Sequence, residues 1–200
     1  MKVIAFTGLA GAGKDLAATF FVNEFDYLLY SFAEPLKNAT RELFDWPKSR
    51  VWGSKSVKEE KDSFWGISGR EALQFVGTEL VREHMHKLVP DLPKGDFWIR
   101  HARRKLEWAK DTGYPGMVIC DLRFQNEGDW VVNNAQGLLI EIARPNAQGA
   151  VGIDGHASEA GFQKGAYPSS QYVKVVNDGT IDELYTKLEQ IYQSHVVNLK

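Results

Sequence analysis

Cysteine is almost missing from this sequence: Cys120 stands alone among 200 residues. A lone cysteine excludes an internal disulfide and a Cys-based zinc site, and it fits a reducing cytoplasm. An excess of basic residues is missing too. Lys and Arg number 24 against 26 Asp and Glu, a formal net charge of −2, so a general nucleic-acid binder with a basic face is not expected. No apolar run approaches the ~20 residues of a membrane span, so no membrane partner is expected. The apolar stretch Val3–Phe6 runs straight into glycines, which is not a signal-peptide layout. Internal repeats and low-complexity tracts are also lacking. What is present is ring: aromatics make up 12%, with six Trp, enough for a ring-rich core or for walls around a planar ligand. The length suits one well-buried α/β domain.

The periodicity alternates between strand and helix. Val3–Phe6, Tyr27–Phe32, Met117–Cys120, Leu138–Ala143 and Tyr172–Val176 read as strands. Helices are expected over Leu16–Phe25, over Glu34–Phe44 with Pro35 in its first turn, and over Asp96–Lys110. A further helix should start at Ser68–Glu71 and turn Leu73, Val76, Leu80 and Val81 inward. The last, over Thr180–Tyr192, should bury Ile181, Leu184, Leu188 and Ile191. Residues 45–68 read as irregular, with Lys58–Asp62 a solvated charged stretch. The result is a three-layer α/β/α fold on a mostly parallel five-stranded sheet with right-handed crossovers. Such sheets bind ligands at the carboxyl ends of their strands.

The first turn after the first strand carries the clearest chemistry. Gly8-x-x-x-x-Gly13-Lys14 has the Walker A spacing between a strand and a helix. Glycines let backbone N–H groups converge on phosphate oxygens, the helix N-terminus adds positive potential, and Lys14 reaches the outer phosphates. Asp15 stands where Ser or Thr normally faces Mg²⁺, and its carboxylate suits that hard cation. Asp121 ends a buried strand, where a second magnesium-side acid belongs, and Arg123 follows two residues on. Arg70 and Gln74 share one helix face, with Arg82 further along it; a solvated face and a phosphate-and-base pocket both fit that stripe. Arg144, after the fourth strand, could join Arg123 on the charge of a transferring phosphoryl group. The His156–Ser158 spacing is not triad evidence, and His84, His86, His101 and His195 show no metal spacing.

Several of these stretches together resemble the bacteriophage-type deoxynucleoside monophosphate kinases, over nearly the whole chain. They are Gly11-x-Gly13-Lys14-Asp15, Ser31–Lys37, Gly69-Arg70-Glu71-x-x-x-Gln74-x-x-Gly77-Thr78-Glu79-x-x-Arg82, Asp121-x-Arg123-Phe124-x-Asn126-Glu127, His156-x-Ser158-Glu159 and Asn177–Thr180. The resemblance implies a single P-loop kinase domain over 1–200, with a core of 1–33 and 112–200, an acceptor-binding helical insertion over about 34–111, and a lid. ATP would be held by Gly11, Ala12, Gly13, Lys14, Asp15 and Leu16, with Asn177 and Gly179 passing beside the adenine. Mg²⁺ would sit against Asp15 and Asp121, and Lys14, Asp15, Asp121, Arg123 and Arg144 would form the catalytic set. The acceptor nucleotide would meet Lys37, Arg70, Gln74, Thr78, Arg82, Trp98, Arg123, Glu127, Ser158 and Glu159. Trp52, Trp65 or Trp98 would supply a wall that selects deoxy sugars. Two residues depart from the family pattern. Leu16 replaces a Thr, which leaves less polar contact near the phosphates, and Ser68-Gly69 replaces Thr-Pro, which should loosen the start of the acceptor helix.

The implied reaction is in-line transfer of the ATP γ-phosphoryl group to a deoxynucleoside 5′-monophosphate, by positioning and charge neutralisation. Its partners would be small nucleotides, in the cytoplasm (the host's, for a viral chain); a homodimer is compatible with the sequence. A dephospho-coenzyme A kinase-like or other small-metabolite kinase shares the same phosphate machinery. A GTP-dependent switch fits less well, because Asn-Lys-x-Asp and a strand-following Asp-x-x-Gly are both missing.

Overall fold

In the computed structural model, which describes residues 1–145 and 167–197, the apolar runs become strands of one sheet. They are Lys2–Thr7 (β1), Leu28–Tyr30 (β2), Gly116–Ile119 (β3), Leu138–Ala143 (β4) and Tyr172–Val176 (β5). Among the described residues every strand pairing is parallel, in the order β2-β3-β1-β4-β5. The expected α/β fold with a five-stranded parallel sheet is therefore present. β1, β3 and β4 are buried almost throughout, as strands of a sheet covered on both faces are. The outer strands leave Leu29 and Val176 exposed. β2 is shorter than the expected 27–32: it pairs with β3 over Leu28–Tyr30 only, and Tyr27, just before it, turns its ring toward Phe21 and Tyr192.

The helices are Lys14–Phe25 (α1), Ala33–Leu43 (α2), Lys48–Trp52 (α3), Lys55–Glu59 (α4), Gly69–Gln74 (α5), Phe97–Asp111 (α6), Gln125–Asp129 (α7) and Ile181–Ile191 (α8). The described residues fall into two compact units: a helical unit, Phe32–Arg100, and a sheet unit of Met1–Ser31 with the described residues from His101 onward.

In the sheet unit, α1 and α8 close one side of the core. Ala17, Ala18, Phe20 and Phe21 join Leu184, Leu188 and Ile191 against Ile4, Phe6, Val118 and Ile140. Each such aliphatic or aromatic side chain contributes about 1.5–3 kcal/mol on full burial. Tyr192 stacks on Phe25 at 3.8 Å between ring centres. Ile181, expected to face inward, is exposed. It is the first residue after the Thr180 cap, where the helix has not yet turned its apolar face to the sheet.

In the helical unit two expectations change. Residues 45–68 are not irregular throughout, since they contain α3 and α4, with Ser54 capping α4. The charged stretch is also more than a solvated face. Asp62 accepts hydrogen bonds from the N–H groups of Phe64 and Trp65 and from the Trp46 indole at 2.9, 3.0 and 3.1 Å, and so organises the turn. The helix starting at Ser68 does reach Arg82, but from Phe75 to Arg82 it continues as a π-helix. Each residue of that segment turns through less than the α-helical 100°, so the inward stripe drifts. Leu80, expected inside, is exposed, and Arg82 is buried.

The sheet order fixes where a ligand can sit. From the central strand β1 the chain builds outward to one side through β2 and β3 and to the other through β4 and β5. The carboxyl end of β1 is thus the switch point, the usual place for a ligand crevice in open α/β sheets.

Candidate active site

The loop Gly8–Gly13 leaves β1 at that switch point and feeds α1. Gly13, the residue before α1, has φ 105, a conformation that an L side chain resists. A Cβ there would also lie 2.6 Å from the Asn177 amide nitrogen. That nitrogen donates to the Ala12 carbonyl at 2.8 Å, while the Asn177 backbone N–H donates to Ala143 at 2.7 Å. Asn177 is buried, so its side chain braces the loop from the end of β5. The expectation for Asn177 was a place beside adenine; its carboxamide is instead turned onto the loop backbone. Gly179, two residues on, is exposed. Leu16 packs on the sheet core rather than facing the loop.

Lys14 donates to the carbonyls of Gly8 and Leu9, both at 2.8 Å. Burial, and next the Arg123 charge, lower its ammonium pKa, while Asp15 and Asp121 oppose that shift. The same electrostatics bring Lys14, Asp15, Asp121 and Arg123 together at the strand ends. Asp121 follows β3 and accepts a hydrogen bond from Ser31 Oγ at 2.7 Å. Ser31 stood in a motif of the sequence without a role; only its fold neighbour gives it one. Glu127 is buried, and its carboxylate accepts from the backbone N–H groups of Arg123 and Phe124 at 3.0 and 3.1 Å. It therefore shapes the loop that carries Arg123. Cys120 is buried beside them, and burial first, then the Asp121 and Asp15 charges, push its thiol up to about 12. Arg144 is exposed directly after β4.

The helical unit holds the other expected residues. Its key helix starts on a capping box: the Glu71 N–H donates to Ser68 Oγ at 3.2 Å and the Ser68 N–H to Glu71 Oε2 at 2.7 Å. The looser start expected from Ser68-Gly69 is not what the structure has. Arg70 pairs with Glu59 at 3.4 Å. Arg82 donates to the Gly95 carbonyl at 3.1 Å, and the Gly95 N–H returns a bond to the Arg82 carbonyl at 3.0 Å. Trp98 is buried, its indole donating to the Gly77 carbonyl at 3.0 Å, which makes it a brace for the π-helix rather than an open wall. Trp52 lies under two cations, Lys37 at 5.8 Å and Lys48 at 5.4 Å. Trp65 is exposed and edge-on to Phe44 and Phe64. Thr78 is half-buried and Gln74 buried. Ser158 and Glu159 lie outside the described residues.

Loop, helix and sheet order define a P-loop phosphotransferase fold. The family model for deoxynucleotide monophosphate kinases matches residues 49–188. A protein of Acanthamoeba polyphaga mimivirus named as a deoxynucleotide monophosphate kinase is 35% identical over 193 residues, 94% of each chain. The chain belongs to the deoxynucleotide monophosphate kinase family and is a transferase, a nucleotide kinase. Solved structures similar to it include a sugar kinase from Janibacter sp., at 9% identity and TM-score 0.49 over 97% of this chain and 95% of that one. A gluconokinase from Sinorhizobium meliloti reaches 10% and 0.48 over 98% and 94%. The APS kinase of Mycobacterium tuberculosis reaches 14% and 0.43 over 96% and 98%. Among the described residues no helix is long and apolar enough to cross a membrane.

Proposed function

We propose that the protein transfers the γ-phosphoryl group of ATP to deoxynucleoside 5′-monophosphates, giving ADP and the deoxynucleoside diphosphates. The observation that carries this reading is the Gly8–Lys14 loop at the switch point with Asp121 at the end of the neighbouring strand, in a chain of this family. Residues 1–33 and 112–200 would form the ATP side and residues 34–111 the acceptor side of one kinase domain.

The loop amides and the start of α1 offer donors and positive potential to the ATP phosphates. A polyphosphate would draw Lys14 from the carbonyls of Gly8 and Leu9 and favour the ammonium form that burial and Arg123 disfavour. Among the described residues there is no cluster of three or more His, Cys, Asp or Glu able to cage a metal. That donor set still fits Mg²⁺, which takes one or two carboxylates plus phosphate oxygens and water. Asp15 and Asp121 would hold it, and when bound it supplies neutralisation of phosphate charge.

The acceptor phosphate is ionised at neutral pH, so its oxygen needs no general base. One bond forms from that oxygen to the γ-phosphorus as the bond from the γ-phosphorus to the ADP oxygen breaks. Arg123, with Arg144, would stabilise charge on the group in transit. Lys37, Arg70 and Arg82 would receive the acceptor phosphate, with Gln74 and Thr78 toward the rest of the nucleotide and Trp98 supporting their helix from behind through the Gly77 carbonyl. Ser158 and Glu159 keep their proposed acceptor contacts from the family pattern alone.

The test is a coupled ADP-release assay over the four deoxynucleoside monophosphates and their ribo counterparts. Turnover on at least one deoxynucleotide is expected, and activity on none would overturn the reading. In Asp15→Asn the Mg²⁺ requirement should rise; an unchanged requirement and rate would remove Asp15 from the metal side.

A further inference from the structure

Arg123 stands on a short loop between β3 and α7. The Leu122 N–H ties the start of that loop to the Phe6 carbonyl of β1 at 3.1 Å. The next two N–H groups, of Arg123 and Phe124, are held by the Glu127 carboxylate of α7. The placing of the Arg123 loop therefore depends on that of α7. α7 has five residues, too few to hold a helix by its own backbone bonds. Burial of Glu127 and Gly128 fixes one side of it. Gln125 and Asp129, four apart, share another face.

That second face is clasped by one hydroxyl. Tyr167 Oη donates to Asp129 Oδ1 at 2.5 Å and accepts from Gln125 Nε2 at 2.7 Å; Gln125 Nε2 also donates to Asp129 Oδ1 at 3.1 Å. The three groups close a triangle. Its sense is set by the carboxylate, because a reversed amide would turn its oxygen onto that of Asp129. The amide keeps this orientation although Gln125 Oε1 is buried with no hydrogen-bond partner among the described residues, a cost that the clasp offsets. Tyr167 is in turn held by the sheet. The N–H groups of Gln171 and Tyr172 donate to the Pro168 carbonyl at 2.9 and 3.1 Å, a turn that leads straight into β5. From the same turn Gln171 Nε2 donates to the Val132 carbonyl at 3.0 Å, in the π-helix Trp130–Asn134 that continues α7. The stretch 167–171 thus straps α7 through Tyr167 and its continuation through Gln171.

We propose that Tyr167 and Asp129 are positioning residues for phosphoryl transfer: their hydrogen bond holds α7, and through Glu127 the Arg123 loop, where the guanidinium meets the group in transit. This rests on the kinase reading above. Neither side chain touches a nucleotide in this role. A hydroxyl bonded to a carboxylate suits the task, because such bonds are short and charge-assisted. Precision matters at Arg123, since a displacement of about 1 Å in a reacting constellation can cost about 10²-fold in rate. Gln171 provides a comparison within the same strap. It holds a carbonyl beyond α7, on the side away from Arg123.

The experiment measures kcat, the KM for ATP and the melting temperature for the wild type, Tyr167→Phe, Asp129→Leu, Asp129→Asn and Gln171→Leu, with the best deoxynucleoside monophosphate as acceptor. Tyr167→Phe should lower kcat about tenfold and leave the KM for ATP unchanged. Asp129→Leu should do the same, whereas Asp129→Asn, which keeps an oxygen for both donors, should retain most of the wild-type kcat. Gln171→Leu should lower the melting temperature comparably while kcat holds within about twofold. In an Arg123→Ala background, Tyr167→Phe should cost less than about twofold. Full kcat in Tyr167→Phe, a kcat that merely follows melting temperature across the four variants, or an undiminished loss in the Arg123→Ala background would overturn the positioning role. A wild type inactive on every monophosphate would overturn the kinase reading and this with it. Should Asp129→Leu fail to fold, Tyr167→Phe and Asp129→Asn, each changing a single polar atom, still decide between the outcomes.

Discussion

Lys14 is a lysine set to exchange partners. Its ammonium sits on two loop carbonyls at 2.8 Å, and burial lowers its pKa, so an arriving phosphate adds charge stabilisation that those carbonyls do not. Lys14→Met should reduce kcat by about 10²-fold or more, the usual loss when one charge-stabilising donor is removed; a smaller change would place the phosphates elsewhere. Asn177 acts through Ala12 and is a positioning residue, so Asn177→Ala should raise the KM for ATP more than that for the acceptor. Equal rises would point to a general loss of fold. Arg123→Ala should cost turnover far more than ATP affinity, and matched losses in a rate and binding comparison would misplace it. Burial pushes Cys120 up to about 12, so at pH 8 the folded chain should take up iodoacetamide far more slowly than the urea-unfolded chain. Much of this was legible from residue type: Lys14, Asp15, Asp121 and Arg123 lie where strand-end logic puts them. The bracing parts of Ser31, Glu127 and Asn177 were not. Each depends on a partner brought close by the fold, and sequence spacing carries no trace of it.

At the scale of elements, hydrophobic period found the strands and long helices because those are the segments that bury an unbroken or periodic apolar set. It failed on α3 and α4, which are five residues each, too short for a period to repeat. It failed again at the π-helix, whose apolar residues sit at spacings an α-helix would also use while the backbone turns them elsewhere. Trp98 supports that segment by donating to Gly77, in a stretch where i→i+4 bonding is not available. The start of α5 rests on two local devices. Ser68→Ala removes the cap and should cost about 0.5–2 kcal/mol in denaturant unfolding. Gly69→Ala should cost more, because a Cβ there would lie 2.1 Å from the Arg50 carbonyl oxygen, a backbone atom with no rotamer to escape into. If Gly69→Ala proves milder than Ser68→Ala, the close approach of α3 to α5 is wrong.

For the whole molecule, titrating groups on both sides of neutrality limit stability. Glu71 is held below its ordinary 4.5, chiefly by the Ser68 backbone N–H, and Asp62 below its ordinary 3.8, chiefly by that of Trp65. Glu83 and Asp178 are lowered mainly by hydrogen bonds from Lys94 and Lys187. A carboxylate depressed in the folded state binds its proton less readily than in the unfolded chain. Its contribution is therefore complete above the unfolded pKa and lost as pH falls through the folded one. On the alkaline side the sign reverses. Cys120, ordinarily 9.0, and Tyr27, Tyr167 and Tyr172, ordinarily 10.0, are raised in the fold. The unfolded chain ionises them first, and stability falls as pH rises past those ordinary values. His101 is held below its ordinary 6.5 by burial first, then by the Lys105 and Arg104 charges, so the unfolded chain takes up its proton first and stability starts to fall below about pH 6.5. The melting temperature should be flat between about pH 7 and 8.5, then drop on both sides. Salt should separate the acidic contributions. Glu83 and Asp178 rely on exposed lysine pairs that high salt screens, while Glu71 and Asp62 rely on backbone N–H groups that it does not. Acid sensitivity should persist in 1 M NaCl and weaken sharply in Glu71→Gln, as read by thermal melts from pH 3 to 7. A chain that grew more stable between pH 5 and pH 3 would contradict the capping-box carboxylate as a source of its stability.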